Sequence, residues 1–164
     1  MITFFAVIFL LKSVKLLDME TMTVYTLEND QIKPTVIEYF DVKIYDEYML
    51  ISLQNDMKLI VGLDSKIYVY GKTFDVITKV KASKLTTDDK IVLVTNDKIE
   101  LVQIEDILTI RKKVILFKFH EQPILTYYGA IIQGFMKTPI RIQVNEHTDA
   151  KLDLLNLETA NLQI

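Results

Sequence analysis

An antiparallel all-β domain is the fold this sequence predicts, and three observations predict it. Of its 164 residues, 21 are Ile and 14 are Val, and side chains branched at Cβ fit a pleated, half-buried surface better than a helix. Only four Gly and three Pro interrupt them. The dipeptide Asn-Asp occurs at 29–30, 55–56 and 96–97, each time between two strand-like runs. Both residue types tolerate positive φ and bond their own backbone, as a tight hairpin turn demands.

The length suits one domain with a real core and is too short for two full ones. Half of the residues are apolar, a quarter are charged and the mean hydropathy is +0.23, which excludes the low-hydrophobicity, high-charge regime of disordered chains. Nineteen Lys and Arg against 22 Asp and Glu leave a net charge of −3, so no global field draws the protein onto nucleic-acid phosphates. The absence of Cys removes disulfides, thiolate metal sites and cysteine nucleophiles, and two His leave little material for zinc. Seventeen of the 19 basic residues are Lys, which together with the Ile count points to an AT-rich coding sequence.

Along the chain, residues 1–11 form an uninterrupted run of ten apolar residues and one Thr, followed by Lys12, Ser13, Val14, Lys15, Leu16 and Leu17. A signal peptide carries its positive charge before the apolar core and a small-residue cleavage site after it, and neither pattern is met. A spanning helix needs about 20 apolar residues, more than residues 1–17 provide, so crossing would require a thin bilayer with both lysines snorkelling. The remaining reading is burial within the protein, or as an arm inserted into a neighbouring subunit.

The three Asn-Asp turns predict hairpins of residues 23–27 with 31–33, 48–53 with 57–61, and 91–94 with 98–102. Further strands are expected at 35–39, 42–45, 67–70, 74–80, 107–110, 114–119, 124–127 and 130–132, and about a dozen short strands at this spacing read as antiparallel β. Residues 140–144 alternate once more. Thr148-Asp149 then offers a cap for a short helix over 150–162, although its leucine spacing is impure. Leu152, Leu155, Leu157 and Leu162 mimic one leucine-rich repeat, but one unit cannot bury its own face, and the segment reads as a docking tail. The expected division is a hydrophobic N-terminal segment at 1–17, a β domain at 18–135 and a C-terminal docking tail at 136–164.

Within residues 81–93, the succession Ala82, Leu85, Asp88, Asp89 and the aliphatic strand from Ile91 resembles a segment of the Hint superfamily, the self-processing domains of hedgehog proteins and inteins. The family shows an Ala, a Leu, then Gly-Asp and an aliphatic strand. Asp88 takes the glycine position, as a residue that tolerates a left-handed turn. Neighbouring segments are similar in the same order. Asp18 stands five residues before Thr23, where the family places its nucleophilic Cys or Ser. Residues 59–69 resemble the strand bearing the family's Thr-x-x-His element, with Gly62 and Ser65 in those two places. Residues 128–135 look like the strand that ends an intein in His-Asn, with Gln133 and Gly134 there instead. The resemblance covers roughly residues 18–135 and implies a Hint-like β core.

It also implies that the chemistry is missing. Self-processing begins with a side-chain thiol or hydroxyl attacking the preceding carbonyl, and Asp18 has neither. Ser65 and Gln133 cannot exchange a proton near neutral pH as imidazole does, and Gly134 cannot cyclise as asparagine does. The expectation is a chain that is not an enzyme, with no catalytic, cofactor-binding or metal residues.

The other polar clusters have plain readings. His120-Glu121 and Glu146-His147 contain metal-ligating types, but neighbours along a strand point to opposite faces, so neither pair chelates as written. Arg111-Lys112-Lys113 reads as a solvated hairpin turn, and Asp46-Glu47 and Asp88-Asp89 as turn residues. Gly62, Gly71, Gly129 and Gly134 never approach the spacing of a phosphate loop. Eight Tyr and eight Phe could stack bases, but the basic-Gly-aromatic element of an RNA-recognition motif is absent, so no nucleic acid partner is expected.

The sequence therefore predicts a non-catalytic structural or assembly subunit on a degenerate Hint-like domain, its partners the protein subunits of a larger assembly. A virus or phage particle is one setting that fits. The alternative is a membrane-anchored β domain, attached through residues 1–17, that binds a protein partner at the membrane.

Overall fold

A computed structural model describes residues 23–37, 40–71, 76–95, 98–140, 142–144 and 148–150, the last two stretches by backbone path only. Residues 1–17, Asp18 and the tail from 151 onward lie outside the described residues. In chain order the strands are β1 (Thr23–Glu28), β2 (Gln31–Val36), β3 (Asp41–Tyr45), β4 (Tyr48–Leu53), β5 (Lys58–Val61), β6 (Lys66–Gly71), β7 (Val76–Lys81), β8 (Lys90–Thr95), β9 (Lys98–Ile110), β10 (Val114–Lys118), β11 (Ile124–Leu125), β12 (Ile131–Gln133), β13 (Ile142–Val144) and β14 (Thr148–Ala150), with a 3-10 turn at Ala82–Lys84. Every strand pairing among the described residues is antiparallel. No helix among them is long and apolar enough to cross a membrane.

All three Asn-Asp hairpins form. Between β1 and β2, Asn29 (φ 50°) and Asp30 (φ 62°) are both left-handed, with Glu28 facing Gln31, the pattern of a two-residue turn whose twist matches its strands. Between β4 and β5, Asp56 is left-handed (φ 66°) and the Asn55 side-chain oxygen accepts from the Met57 backbone N–H at 3.2 Å. Thr95 faces Lys98 across the third turn. Asp88 is absent from the positive-φ positions. Its turn is held instead by Asp89, whose Oδ2 accepts from the Thr86 N–H at 2.9 Å, so no glycine is needed there.

Four expectations are corrected. Residues 31–36 are one strand rather than two, running through Pro34; among the described residues β2 pairs only with β1, and an edge strand tolerates the missing donor. Residues 98–110 are likewise one 13-residue strand, because its first half pairs with β8 and its second with β4. A register shift between Ser52 and Leu53 absorbs the change as a bulge. Arg111-Lys112-Lys113 is exposed but is not a hairpin turn. Tyr45 faces Val114 and Tyr48 faces Ile110, so β3–β4 and β9–β10 make one long ribbon that bends at 46–47 and at 111–113. Finally, Thr148-Asp149 belongs to β14, paired residue for residue with β13, rather than to a cap, because ladder pairing overrides a local capping signal; the helix expected over 150–162 lies outside the described residues from 151 onward.

Twelve strands join in the order β14-β13-β1-β11-β12-β6-β8-β9-β4-β5, with β2 on β1 and β7 on β6, while β3 and β10 pair with each other. Alternation along β4 (Tyr48, Leu50 and Ser52 half-buried; Met49, Ile51 and Leu53 buried) turns one face inward. That face meets Leu59, Val61, Ile67, Val69, Ile91, Leu93 and Ile132 in a continuous core. Phe40, Phe117 and Phe119 cluster at its β10 end with centroids 5.9–6.2 Å apart. The turn after β11 docks on β8, where the Val94 N–H donates to the Gly129 carbonyl at 2.9 Å.

Three substitutions test this packing. Gly129 has φ +98°, and a Cβ there would lie 2.6 Å from the Val94 carbonyl oxygen. Gly129→Ala should lower stability by about 2 kcal/mol or more in urea denaturation, whereas Gly71→Ala, with its nearest neighbour at 3.6 Å, should be close to neutral. The Thr126 hydroxyl is buried without a hydrogen-bond partner among the described residues. Thr126→Val should therefore leave stability unchanged or raise it by about 1 kcal/mol in the same measurement.

Candidate functional site

The Hint-like positions converge on one backbone carbonyl. After β5 the chain turns at Gly62, where the Ser65 N–H donates to the Gly62 carbonyl at 3.1 Å. The 3-10 turn holds this corner, with Ala82 N–H donating to the Ser65 carbonyl at 2.7 Å and Ser83 N–H to that of Leu63 at 3.1 Å. Ser65 is buried. Its hydroxyl donates to the Phe135 carbonyl at 2.6 Å, and the Gly62 N–H donates to the same oxygen at 3.0 Å.

Gly134 lies against this pair. It has φ +120°, and a Cβ on it would fall 2.9 Å from Ser65 Oγ and 3.2 Å from Ser65 Cα, so the position admits glycine alone without rearrangement. Gly62 is also enclosed, since its Cβ would lie 3.2 Å from Asp64 Oδ1 and 3.4 Å from Ser65 Oγ. Of the five sequence-derived positions, Gly62, Ser65 and Gly134 are thus brought together. Gln133 is next in the chain but is bonded elsewhere, its Oε1 accepting from Lys79 Nζ at 3.0 Å and its amide nitrogen donating to the Glu121 carbonyl at 2.9 Å. Asp18 lies outside the described residues, as does His147. His120 Nδ1 accepts from the Gln122 N–H at 3.0 Å.

Sequence reasoning missed the ring of side chains around Phe135. Tyr45 packs on it with centroids 5.7 Å apart and donates its hydroxyl to Asp64 Oδ1 at 3.5 Å. Burial first, then the charge and hydrogen bond of Asp64, push the Tyr45 phenol up to about 12. Lys43 Nζ lies 4.9 Å from the Tyr45 centroid and 6.0 Å from that of Phe135, and Lys118 Nζ lies 5.4 Å from the latter. Lys118 also pairs with Glu121 at 3.1 Å and Asp41 at 3.5 Å. Its pKa is raised, chiefly by the Glu121 hydrogen bond, with desolvation opposing and Asp41 adding. No motif marks these residues, because β3, the Gly62 corner and residue 135 meet only on folding.

Chemically, two donors grip one carbonyl, and both a phenol and an ammonium nearby are moved further from neutrality than usual. The arrangement fixes a peptide group in place. Among the described residues, the Ser65 hydroxyl donates to that carbonyl.

Solved structures that this chain is similar to include inteins and an intein-like domain. The TvoVMA intein superposes with a TM-score of 0.56 at 14% identity, over 70% of this chain and 66% of that one. The transcription factor IIB Mvu mini-intein gives 0.56 at 11% identity, over 68% and 71%. The bacterial intein-like domain from Clostridium thermocellum gives 0.52 at 16%, over 68% and 80%. The fold is Hint-like. No protein-family profile matches the sequence, and no curated protein does. In this Hint-like domain, residues 62, 65 and 134 meet at one end of β5 and β12, so the segment resemblances drawn from sequence correspond to a real spatial cluster.

The site makes two measurable statements. Because the Tyr45 pKa is raised above its usual 10, the contribution of the protonated phenol to stability is full below pH 10 and is lost as the pH rises through about 12. A phenolate absorbance titration of wild type minus Tyr45→Phe should show one tyrosine ionising near 12, and Asp64→Asn should bring that midpoint down. Gly134→Asn should cost about 2–3 kcal/mol, from backbone strain and the contact with Ser65. Ser65→Gly in the same chain should recover part of it, which a double-mutant cycle in urea would read as coupling.

Proposed function

We propose that this chain is a non-catalytic structural or assembly subunit built on a degenerate Hint-like domain, with residues 1–17 and the leucine-rich end of the C-terminal tail as its contacts with other protein subunits. One observation carries the reading: the space where a side chain at position 134 would stand is occupied by Ser65, whose hydroxyl is committed to the Phe135 carbonyl. Self-processing in the Hint manner needs a side chain at that place, together with a hydroxyl or thiol nucleophile at the position of Asp18. This chain has Gly134 and a carboxylate. Without the chemistry, what remains is a rigid β body with an apolar segment at one end and a leucine-rich one at the other. A virus or phage particle fits such a subunit, with the AT-rich coding signature as a minor further pointer.

A second reading rests on the ten apolar residues within 1–11 and the lysines that follow them: a membrane-anchored β domain, with Lys12 and Lys15 at the interface where the chain leaves the bilayer. Full-length protein that sediments with phosphatidylcholine vesicles would select this reading over the assembly subunit.

The absence of self-processing is tested by placing passenger proteins before Asp18 and after Gly134. A single uncleaved band under reducing and nucleophile-rich conditions is the expected outcome, as is an intact mass of 19.1 kDa for the chain alone. Release of either passenger would mean that another residue supplies the nucleophile, and the non-catalytic reading would fall.

A further inference from the structure

An open groove of about 600 Å³ lies between three hairpins, lined by Leu27 and Ile32 of β1–β2, Tyr68 and Ile77 of β6–β7, Val94 and Ile99 of β8–β9, and floored by Ile131. Asp30 and Gln31 form its polar rim, and apolar side chains also reach solvent there: Ile99 is 61% exposed and Ile77 45%. Exposed apolar residues gathered in one concavity mark a surface that binds something.

We propose that residues 1–11 of the same chain occupy this groove. The run is ten apolar residues and a Thr without a charge, rich in the β-branched and aromatic types that fit an extended segment between strands. Its tether reaches. Residues 12–22 separate the run from Thr23, and eleven residues span up to about 36–40 Å when extended. Leu27, in the groove wall, is four residues further along the same strand, about 13 Å from Thr23. An attached segment of this reach meets the groove at an effective concentration of order mM, well above what a free partner presents in dilute solution. The rim is complementary as well. Asp30, at the groove's edge, carries the charge opposite to that of Lys12 and Lys15, which follow the apolar run in sequence. The docked segment would hide from water two surfaces that otherwise each promote aggregation. In a crowded assembly the same contact can pass to a neighbouring copy, as in domain swapping.

The lack of cysteine makes a direct test available on the full-length chain. A single cysteine at position 99 (Ile99→Cys), carrying a benzophenone maleimide, probes the groove. The same label at position 108 (Leu108→Cys) probes exposed β9 surface about 30 Å away along the strand. Both positions are exposed (61% and 45%), so neither change disturbs the core. On irradiation at low protein concentration, the position-99 label should form adducts within residues 1–11 in the monomer band, and the position-108 label should not. Adducts confined to a dimer band, equal yields from both labels, or none within 1–11 would overturn the proposal. As an independent readout, Ile77→Glu with Ile99→Glu should raise the rate of chymotryptic cleavage at Phe4, Phe5 and Phe9 about tenfold, with the β domain left intact. An unchanged rate would also overturn it. Neither result bears on self-processing, which the passenger fusions read separately.

Discussion

The structure hangs on the pair of donors that hold the Phe135 carbonyl. Gly62 N–H and Ser65 Oγ bind it from the corner after β5, and the next residues continue the same seam. Met136 exchanges backbone hydrogen bonds with Phe117 of β10 at 2.8 and 3.0 Å, and the Lys137 N–H donates to Ile60 of β5 at 2.8 Å. Thr138 completes it, its hydroxyl accepting from the Ile60 N–H at 2.7 Å and lying 3.1 Å from the Ile60 carbonyl. A segment with almost no regular structure of its own thereby ties the long sheet to the β3–β10 pair. The close approach this requires explains Gly134: any side chain there would push the seam away from Ser65. The stitch is local in space and joins residues 70 or more apart in the chain.

The same economy shapes the rest of the molecule. The β3–β4 and β9–β10 ribbon bends at two facing corners, one acidic (Asp46-Glu47) and one basic (Arg111-Lys112-Lys113), and the bend carries it from the long sheet to the seam. Hairpins β1–β2, β6–β7 and β8–β9 wall the groove. At the seam Ser65, Met136 and Thr138 are buried, whereas Ile77 and Ile99 at the hairpin tips are exposed.

The sequence alone determined the β architecture, the three hairpins and their turns, because alternation and Asn-Asp chemistry act over a few residues. It also brought residues 62, 65 and 134 into consideration, through the order of segments rather than through any reactive group. Only the tertiary structure decided where strands merge or end. Residues 98–110 are one strand because two different partners supply its ladder, Pro34 sits within a strand because no other described strand pairs with that edge, and Thr148-Asp149 joins a ladder because β13 is there to receive it. Likewise Tyr45, Asp64 and Lys118 reach Phe135 through folding, with no spacing in the chain to announce them. Short-range dihedral and hydrophobic preferences can be read from neighbours in sequence, whereas hydrogen-bond partners and excluded volume belong to neighbours in space.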